Sequence, residues 1–161
     1  NLAWRNDFRW RNFNFGFMVS ARLGGVVFSR TQSMLDYYGV SEATAAARDA
    51  GGVMINGNDL VDANKWYTAI GGGNSVPQYY TYSATNVRLQ EASIGYTIPK
   101  KTLGDICEIT LSLVGRNLWM IYCKAPFDPE AVASTGLSYQ GIDYFMMPSL
   151  RSLGFNVKFE F

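Results

Sequence analysis

Phe13-Asn14-Phe15-Gly16-Phe17-Met18-Val19-Ser20-Ala21-Arg22-Leu23 is the stretch on which the fold class turns. Its odd positions are Phe, Phe, Phe, Val, Ala and Leu; its even positions are Asn, Gly, Met, Ser and Arg. Successive side chains of a strand point to opposite faces, so this period of two predicts a strand with one apolar and one polar side. Cys107 to Leu113 repeats the pattern, with Cys107, Ile109, Leu111 and Leu113 set against Glu108, Thr110 and Ser112. So does the closing segment, where Leu153, Phe155, Val157, Phe159 and Phe161 alternate with Gly154, Asn156, Lys158 and Glu160. Between Asn86 and Ile98 the parity changes: Val87 and Leu89 belong to one set, Ala92, Ile94, Tyr96 and Ile98 to the other. A bulge near Gln90–Glu91 reconciles them. A fifth strand, Leu2 to Trp10, has the weakest pattern.

The connections alternate in length. Arg11–Asn12 is a tight turn and Pro99 to Ile106 a short link, whereas Thr31 to Thr85 and Tyr122 to Pro148 are long excursions. Antiparallel strands with all turns clipped at one end and extended at the other describe an outer-membrane barrel, with its short periplasmic turns and long external loops. A structureless loop of some fifty residues argues against a compact soluble domain. Within it, Thr44 to Ala50 predicts a short helix and Ser33 to Tyr38 another turn or two. Five strands do not close a membrane barrel, and an open sheet edge finds no hydrogen-bond partner in lipid. The expectation is therefore a piece of a longer chain whose other strands complete the wall. Asn1-Leu2-Ala3-Trp4 likewise carries no basic-then-apolar leader, so no signal peptide is expected here.

Composition agrees with this reading. Aromatic residues make up 15% of the 161 and charged residues only 17%, which suits half-apolar strands with an aromatic girdle. Fourteen basic and thirteen acidic residues give a net charge of +1 without a clustered basic face, which removes nucleic acid from the expected partners. No run of about 18 apolar residues is present, so no transmembrane helix is expected. Histidine is absent, and with it the commonest general base and zinc ligand. Cys107 and Cys123 fall at opposite ends of one extended strand, roughly 50 Å apart at about 3.3 Å per residue, far beyond disulfide reach.

In its C-terminal half the chain carries a set of ordered motifs. Asn86-Val87-Arg88-Leu89 precedes Gly95-Tyr96-Thr97-Ile98-Pro99-Lys100, followed by Gly115-Arg116-Asn117-Leu118-Trp119, Phe127-Asp128-Pro129-Glu130 and Pro148-Ser149-Leu150-Arg151. Together with Phe13 to Tyr38, including Gly24-Gly25 and Met34-Leu35-Asp36, these resemble the SusC/RagA-type TonB-dependent transporters over nearly the whole chain. The resemblance implies an all-β fold: the last five or so strands of a 22-stranded transmembrane barrel, residues 1–161 forming its C-terminal part, with the plug and earlier strands elsewhere. It implies uptake of glycan fragments or peptides across the outer membrane of a Gram-negative, Bacteroidetes-like bacterium. The implied partners are the remainder of the barrel, a SusD-like surface lipoprotein as lid, outer-membrane lipid, and the TonB complex reached through the N-terminal part. No cofactor is implied.

The resemblance also gives Leu153, Phe155, Val157, Phe159 and Phe161 a meaning, as the terminal signal read during barrel assembly. An ordinary final strand has the same alternation. Arg22, Arg88, Arg116 and Lys158 fall on or near the polar parity, where pairing with Glu108, Glu160 or the plug is the expected role. Arg151 and Asn117 break the parity; Arg151 near a rim can snorkel to headgroups. Tyr37, Tyr38, Trp66, Tyr67, Tyr79, Tyr80 and Tyr82 crowd the long excursion. They suit stacking on sugar rings, packing against a lid, or packing the loop on itself. Gly71-Gly72-Gly73-Asn74 lacks the Gly-Lys-Ser/Thr of a phosphate loop. Asp59 with Asp62, and Asp128 and Glu130 with Asp143, lack EF-hand spacing and read as solvated loop. No nucleophile–base pair or spaced carboxylate pair marks an active site, so no enzyme is expected. A second reading stays open: a soluble or surface-attached β-sandwich that binds carbohydrate through its tyrosine-rich loop.

Overall fold

Strands β1 (Leu2–Trp10) and β2 (Phe13–Arg22) pair antiparallel across the Arg11–Asn12 turn, with Arg11 at φ 53°. In this computed structural model, which describes all residues except Asp105, Thr135, Leu137, Ser138, Phe161 and the side chain of Leu103, the chain divides into two compact units. Mostly antiparallel sheet with a few short helices, it has the β-rich character that alternation predicts.

The first unit comprises residues 1–25, 84–128 and 148–161. Here β7 (Asn86–Ile98), β8 (Glu108–Cys123) and β10 (Ser152–Glu160) join β1 and β2 in one sheet, ordered β1-β2-β7-β8-β10 and antiparallel throughout. Both short connections leave one end of this sheet. The second is a 3₁₀ turn, Lys100–Leu103, closed by Gly104 at φ 72°. Both long excursions leave the other end, as the connection lengths predict. The excursion limits differ from those expected: β2 stops at Arg22, β8 runs on to Cys123 and β10 starts at Ser152.

Register confirms the two-faced reading residue by residue. Phe8, Phe15, Ile94, Leu113 and Phe155 form one row across all five strands. Phe13, Tyr96, Leu111 and Val157 form the next, with Trp10 beside Phe13. On the opposite face Asn14, Gly95, Ser112 and Asn156 align. The bulge expected at Gln90–Glu91 is there: Leu89 opposes Trp119 but Glu91 opposes Arg116, and on β2 Val19 and Met18 oppose Leu89 and Glu91. Gln90, Asn117 and Leu118 are the residues left over. Asn117, whose parity had no explanation in the sequence, takes φ 52° to make this bend.

The second unit comprises residues 26–83 and 129–147. The long excursion is therefore not the irregular loop its sequence suggested. It runs through β3 (Val26–Ser29), α1 (Arg30–Tyr37), α2 (Glu42–Asp49), a hairpin of β4 (Val53–Ile55) and β5 (Asp59–Val61), α3 (Ala63–Ile70), α4 (Pro77–Tyr80) and β6 (Thr81–Ser83). The two expected helices are α1 and α2. Side-chain caps start three of the helices: Ser29 accepts from Gln32 N, Ser41 from Thr44 N and Asp62 from Lys65 N, each at 3.1 Å. Asn56 and Gly57, both at positive φ, supply the two-residue hairpin turn. The second excursion contributes β9 (Ile142–Asp143), which runs parallel to β3, while β6 pairs with β3 on its other side. Val27, Ala63, Ile70 and Tyr80 form a small apolar core, with Ser33 and Thr44 buried among the polar residues.

Candidate functional site: a bare apolar face, a buried arginine and a tyrosine-lined cavity

The apolar face of the five-stranded sheet is uncovered. Ile94, Leu113 and Phe155, in the central row, are 52%, 58% and 64% exposed. Around them the rings of β1, β2 and β7 touch in sequence: Trp4 meets Phe17 edge-on at 5.4 Å, Phe8 stacks near Phe15 and Phe17, and Phe13 lies 4.9 Å from Tyr96. Contiguous apolar surface on this scale marks a face that meets something other than water. Leu153, Phe155, Val157 and Phe159 all lie on it, along β10 at the sheet edge; Phe161 lies outside the described residues. No helix among the described residues is long and apolar enough to cross a membrane.

The polar face is a lattice of side-chain bonds. Asn14 Nδ2 donates to Thr97 Oγ1 at 3.2 Å, and Thr97 shares a 3.1 Å hydrogen bond with Thr110. Gly16 lets Asp7 and Ser93 approach closely: a Cβ there would sit 2.6 Å from Asp7 Oδ1 and 2.9 Å from Ser93 Oγ, so those side chains would have to move. The charges pair differently from expectation. Arg116 binds Glu91 at 3.2 Å rather than Glu108 or Glu160, because the bulge sets Glu91 directly opposite it. Lys158 does pair with Glu160, two residues along the same face. These pairs are exposed and contribute little stability.

Arg88 is the exception. Its side chain is 2% exposed, and its guanidinium bridges three segments. Nη2 donates to Asp128 Oδ1 at 2.6 Å, while Nη1 donates to Asn117 Oδ1 at 3.0 Å and to Ser149 Oγ at 3.1 Å. Ser149 in turn donates its backbone N–H and its hydroxyl to Asp128 Oδ2. Asn117 Nδ2 donates to the carbonyls of Ser149 (2.8 Å) and Leu150 (3.4 Å). Arg88 thus pairs with Asp128 rather than with Glu108 or Glu160. Sequence reasoning missed the junction although its parts were visible: Arg88, Asn117, Asp128 and Ser149 come one each from four of the ordered motifs. Spacing along the chain does not reveal that these motifs meet.

In the second unit, residues of α1, α2 and α3 enclose a cavity of about 440 Å³. Tyr37, Tyr38 and Tyr67 line it together with Asp36, Arg48, Asp62 and Asn64. The other aromatics named from the sequence are placed elsewhere. Tyr80 is 2% exposed and belongs to the core, so it offers no ring face to a ligand. Trp66 and Tyr79 pack edge-on against each other at 5.7 Å. Burial, and then the negative charge of Asp36, raise the phenol pKa of Tyr67 and Tyr82, and of Tyr80 most of all, so all three stay protonated donors. Asp36, Arg48 and Asn64 were not singled out as ligand contacts from the sequence, and Asp62 was weighed there only with Asp59 as a cation pair. The Asp62 N-cap with Trp66, Tyr67 and Ile70 at helical spacing was the one available signal for α3.

No protein-family model matches the chain. It is similar to the TonB-dependent receptor P3 of Formosa agariphila, with 25% identity over 168 aligned positions that cover 98% of this chain and 16% of that receptor. The chain thus spans less than a fifth of that relative's length.

Proposed function

We propose that this chain is the C-terminal part of a SusC/RagA-type TonB-dependent importer in the outer membrane of a Gram-negative, Bacteroidetes-like bacterium. It contributes the last five strands of a 22-stranded barrel, and its excursions face the cell exterior. The observation that carries this reading is the bare apolar face backed by a hydrogen-bonded polar face. In a barrel wall the first meets lipid and the second meets the lumen. From Leu2 to Trp10 the strand rises about 26 Å at about 3.3 Å per residue, close to the ~25 Å apolar belt of such barrels. Similarity to a TonB-dependent receptor favours a transporter over an enzyme. The importer takes up glycan fragments or peptides, with a SusD-like lipoprotein over the external loops and energy delivered by TonB through the N-terminal part.

The alternative, a soluble carbohydrate-binding sandwich, needs a second sheet over the Phe15 and Leu113 row; among the described residues none covers it. Gel mobility with and without boiling separates the two. The full-length protein should fractionate with outer membranes and shift mobility only after heating. Recovery in the soluble fraction with no shift would defeat the barrel reading.

The same assay checks the two faces. Ile94→Lys places charge at the centre of the apolar row and should destabilise the barrel by about 2–4 kcal/mol if that row meets the lipid midplane. Asn14→Lys, on the other face, should leave the heat-shift temperature within a few degrees of wild type. Equal effects from the two substitutions would contradict the assignment of the faces.

A further inference from the structure

We propose that the groove over the paired strands β3 and β9 is a binding site for an aromatic monocarboxylate. This goes beyond the importer reading, which supplies only the setting outside the cell; the chemistry comes from the groove. Alternation along the two short strands builds it. Val27 and Ser29 of β3 and Asp143 of β9 are buried, with Ser29 Oγ donating to Asp143 Oδ2 at 2.8 Å. Phe28 and Ile142, of the opposite parity and paired across the parallel strands, turn to the other face. There they line a groove of about 640 Å³, within the ~300–1,000 Å³ typical of ligand sites.

Arg30 is the single charged residue of the lining. Half-buried, it donates Nη1 to the Gly73 carbonyl at 3.2 Å, and no carboxylate lies within ion-pair distance of it among the described residues. Asp143, its neighbour in the sheet, is committed to Ser29 on the far side. Helix stability does not account for Arg30 either. It is the first residue of α1, where a positive charge opposes the helix dipole. A guanidinium carries five N–H donors in a planar fork that matches the two oxygens of a carboxylate. Ser134 accepts from the Gly136 N–H at 3.0 Å, which leaves its own O–H to donate beside that fork.

The rest of the lining is mostly carbon. Phe28, Ile142 and Ala133 supply apolar surface, and Ala133 is held there by its N–H, which donates to the Ile142 carbonyl at 2.8 Å. Tyr139 and Tyr144 are exposed and leave ring faces open for stacking. Tyr144 is itself steadied: it meets Phe145 edge-on at 5.3 Å, and Phe145 N donates to Thr31 Oγ1 at 2.6 Å. One cation without a counter-ion, set among three aromatic rings, selects a flat apolar body carrying one negative charge. A cation is repelled by Arg30. A hydroxyl-rich ligand gives up its hydration against carbon walls that return few hydrogen bonds.

The test uses the full-length protein in detergent and saturation-transfer NMR with 2-naphthoate, its neutral amide 2-naphthamide, and the saturated analogue decahydro-2-naphthoate. The aryl protons of 2-naphthoate should receive saturation, and the amide and the saturated acid should each bind at least tenfold more weakly. Arg30→Gln should weaken 2-naphthoate tenfold or more and leave 2-naphthamide unchanged, a split that general damage to the fold does not produce. Tyr144→Ala, at an exposed position, should weaken both aryl ligands and so reads the site even if Arg30→Gln disturbs α1. Absence of transfer to 2-naphthoate, equal binding of its amide, or indifference to Arg30→Gln overturns the proposal. Saturated acid bound as tightly as 2-naphthoate overturns the aromatic assignment. The heat-induced gel shift scores the importer reading separately: a heat-modifiable protein that ignores 2-naphthoate sinks the groove proposal alone, and a binder without the shift sinks the barrel alone.

Discussion

Arg88→Ala is expected to lower the stability of the folded protein by about 3–5 kcal/mol, the usual consequence of leaving one partner of a buried ion pair without the other. Asp128 then keeps its charge in a poorly solvated position beside Ser149, whose N–H and hydroxyl donate to it. Asp128→Asn should do less harm than Asp128→Ala, because an amide oxygen still accepts from the guanidinium. Replacing both charges, as in Arg88→Met with Asp128→Leu, should recover much of the loss, since removing a buried pair whole avoids stranding either charge. Urea unfolding of the protein in lipid vesicles, followed by tryptophan fluorescence, measures all four. Equal stability for wild type and Arg88→Ala would show that the junction contributes no net energy.

Phe161→Asp, or loss of Phe161, should sharply reduce the amount of full-length protein inserted in the outer membrane. On the proposed barrel reading, closure requires β10 as final strand to pair with the first, because each unpaired backbone group in lipid costs several kcal/mol. On the same reading, the resemblance to barrel transporters implies that the terminal aromatic is the handle for that step. The alternating residues ahead of it, Leu153, Phe155, Val157 and Phe159, present the same face of β10. Stability should change much less, because one rim aromatic contributes about 2–3 kcal/mol in a wall of many strands. Surface labelling of cells, beside the urea midpoint of whatever protein inserts, separates assembly from stability. Wild-type surface levels of Phe161→Asp protein would remove the assembly role.

The five-stranded sheet was legible because a face exposed over its whole length forces strict alternation. Phe15, Ile94, Leu113 and Phe155 could be assigned to one face before any register was known, and even the defect at Gln90 left its trace as a parity change. The second unit was not legible. Its helices are eight residues or fewer and its strands four or fewer, too short for a period to establish itself. Tyr80 illustrates the cost to site reading: composition groups it with its neighbours, and only tertiary packing separates a core tyrosine from Tyr38 at the surface. Arg88 was hidden differently. Its parity was noted, but the identity of its partner depends on where the second excursion returns, which local pattern does not encode.

The pairing of β9 with β3 limits how the excursions can diversify. Phe28 N donates to Gly141 O, Ser29 Oγ donates to Asp143 Oδ2, and Ala133 N donates to Ile142 O, so residues from both excursions finish one small sheet. Neither half has a complete set of backbone partners without the other. Recombination that exchanged residues 26–83 alone would strand the edge of β3 beside a mismatched β9. Residues 26–83 and 129–147 therefore form a single heritable cassette, and a chimaera that trades the pair together should fold where one trading either alone should not.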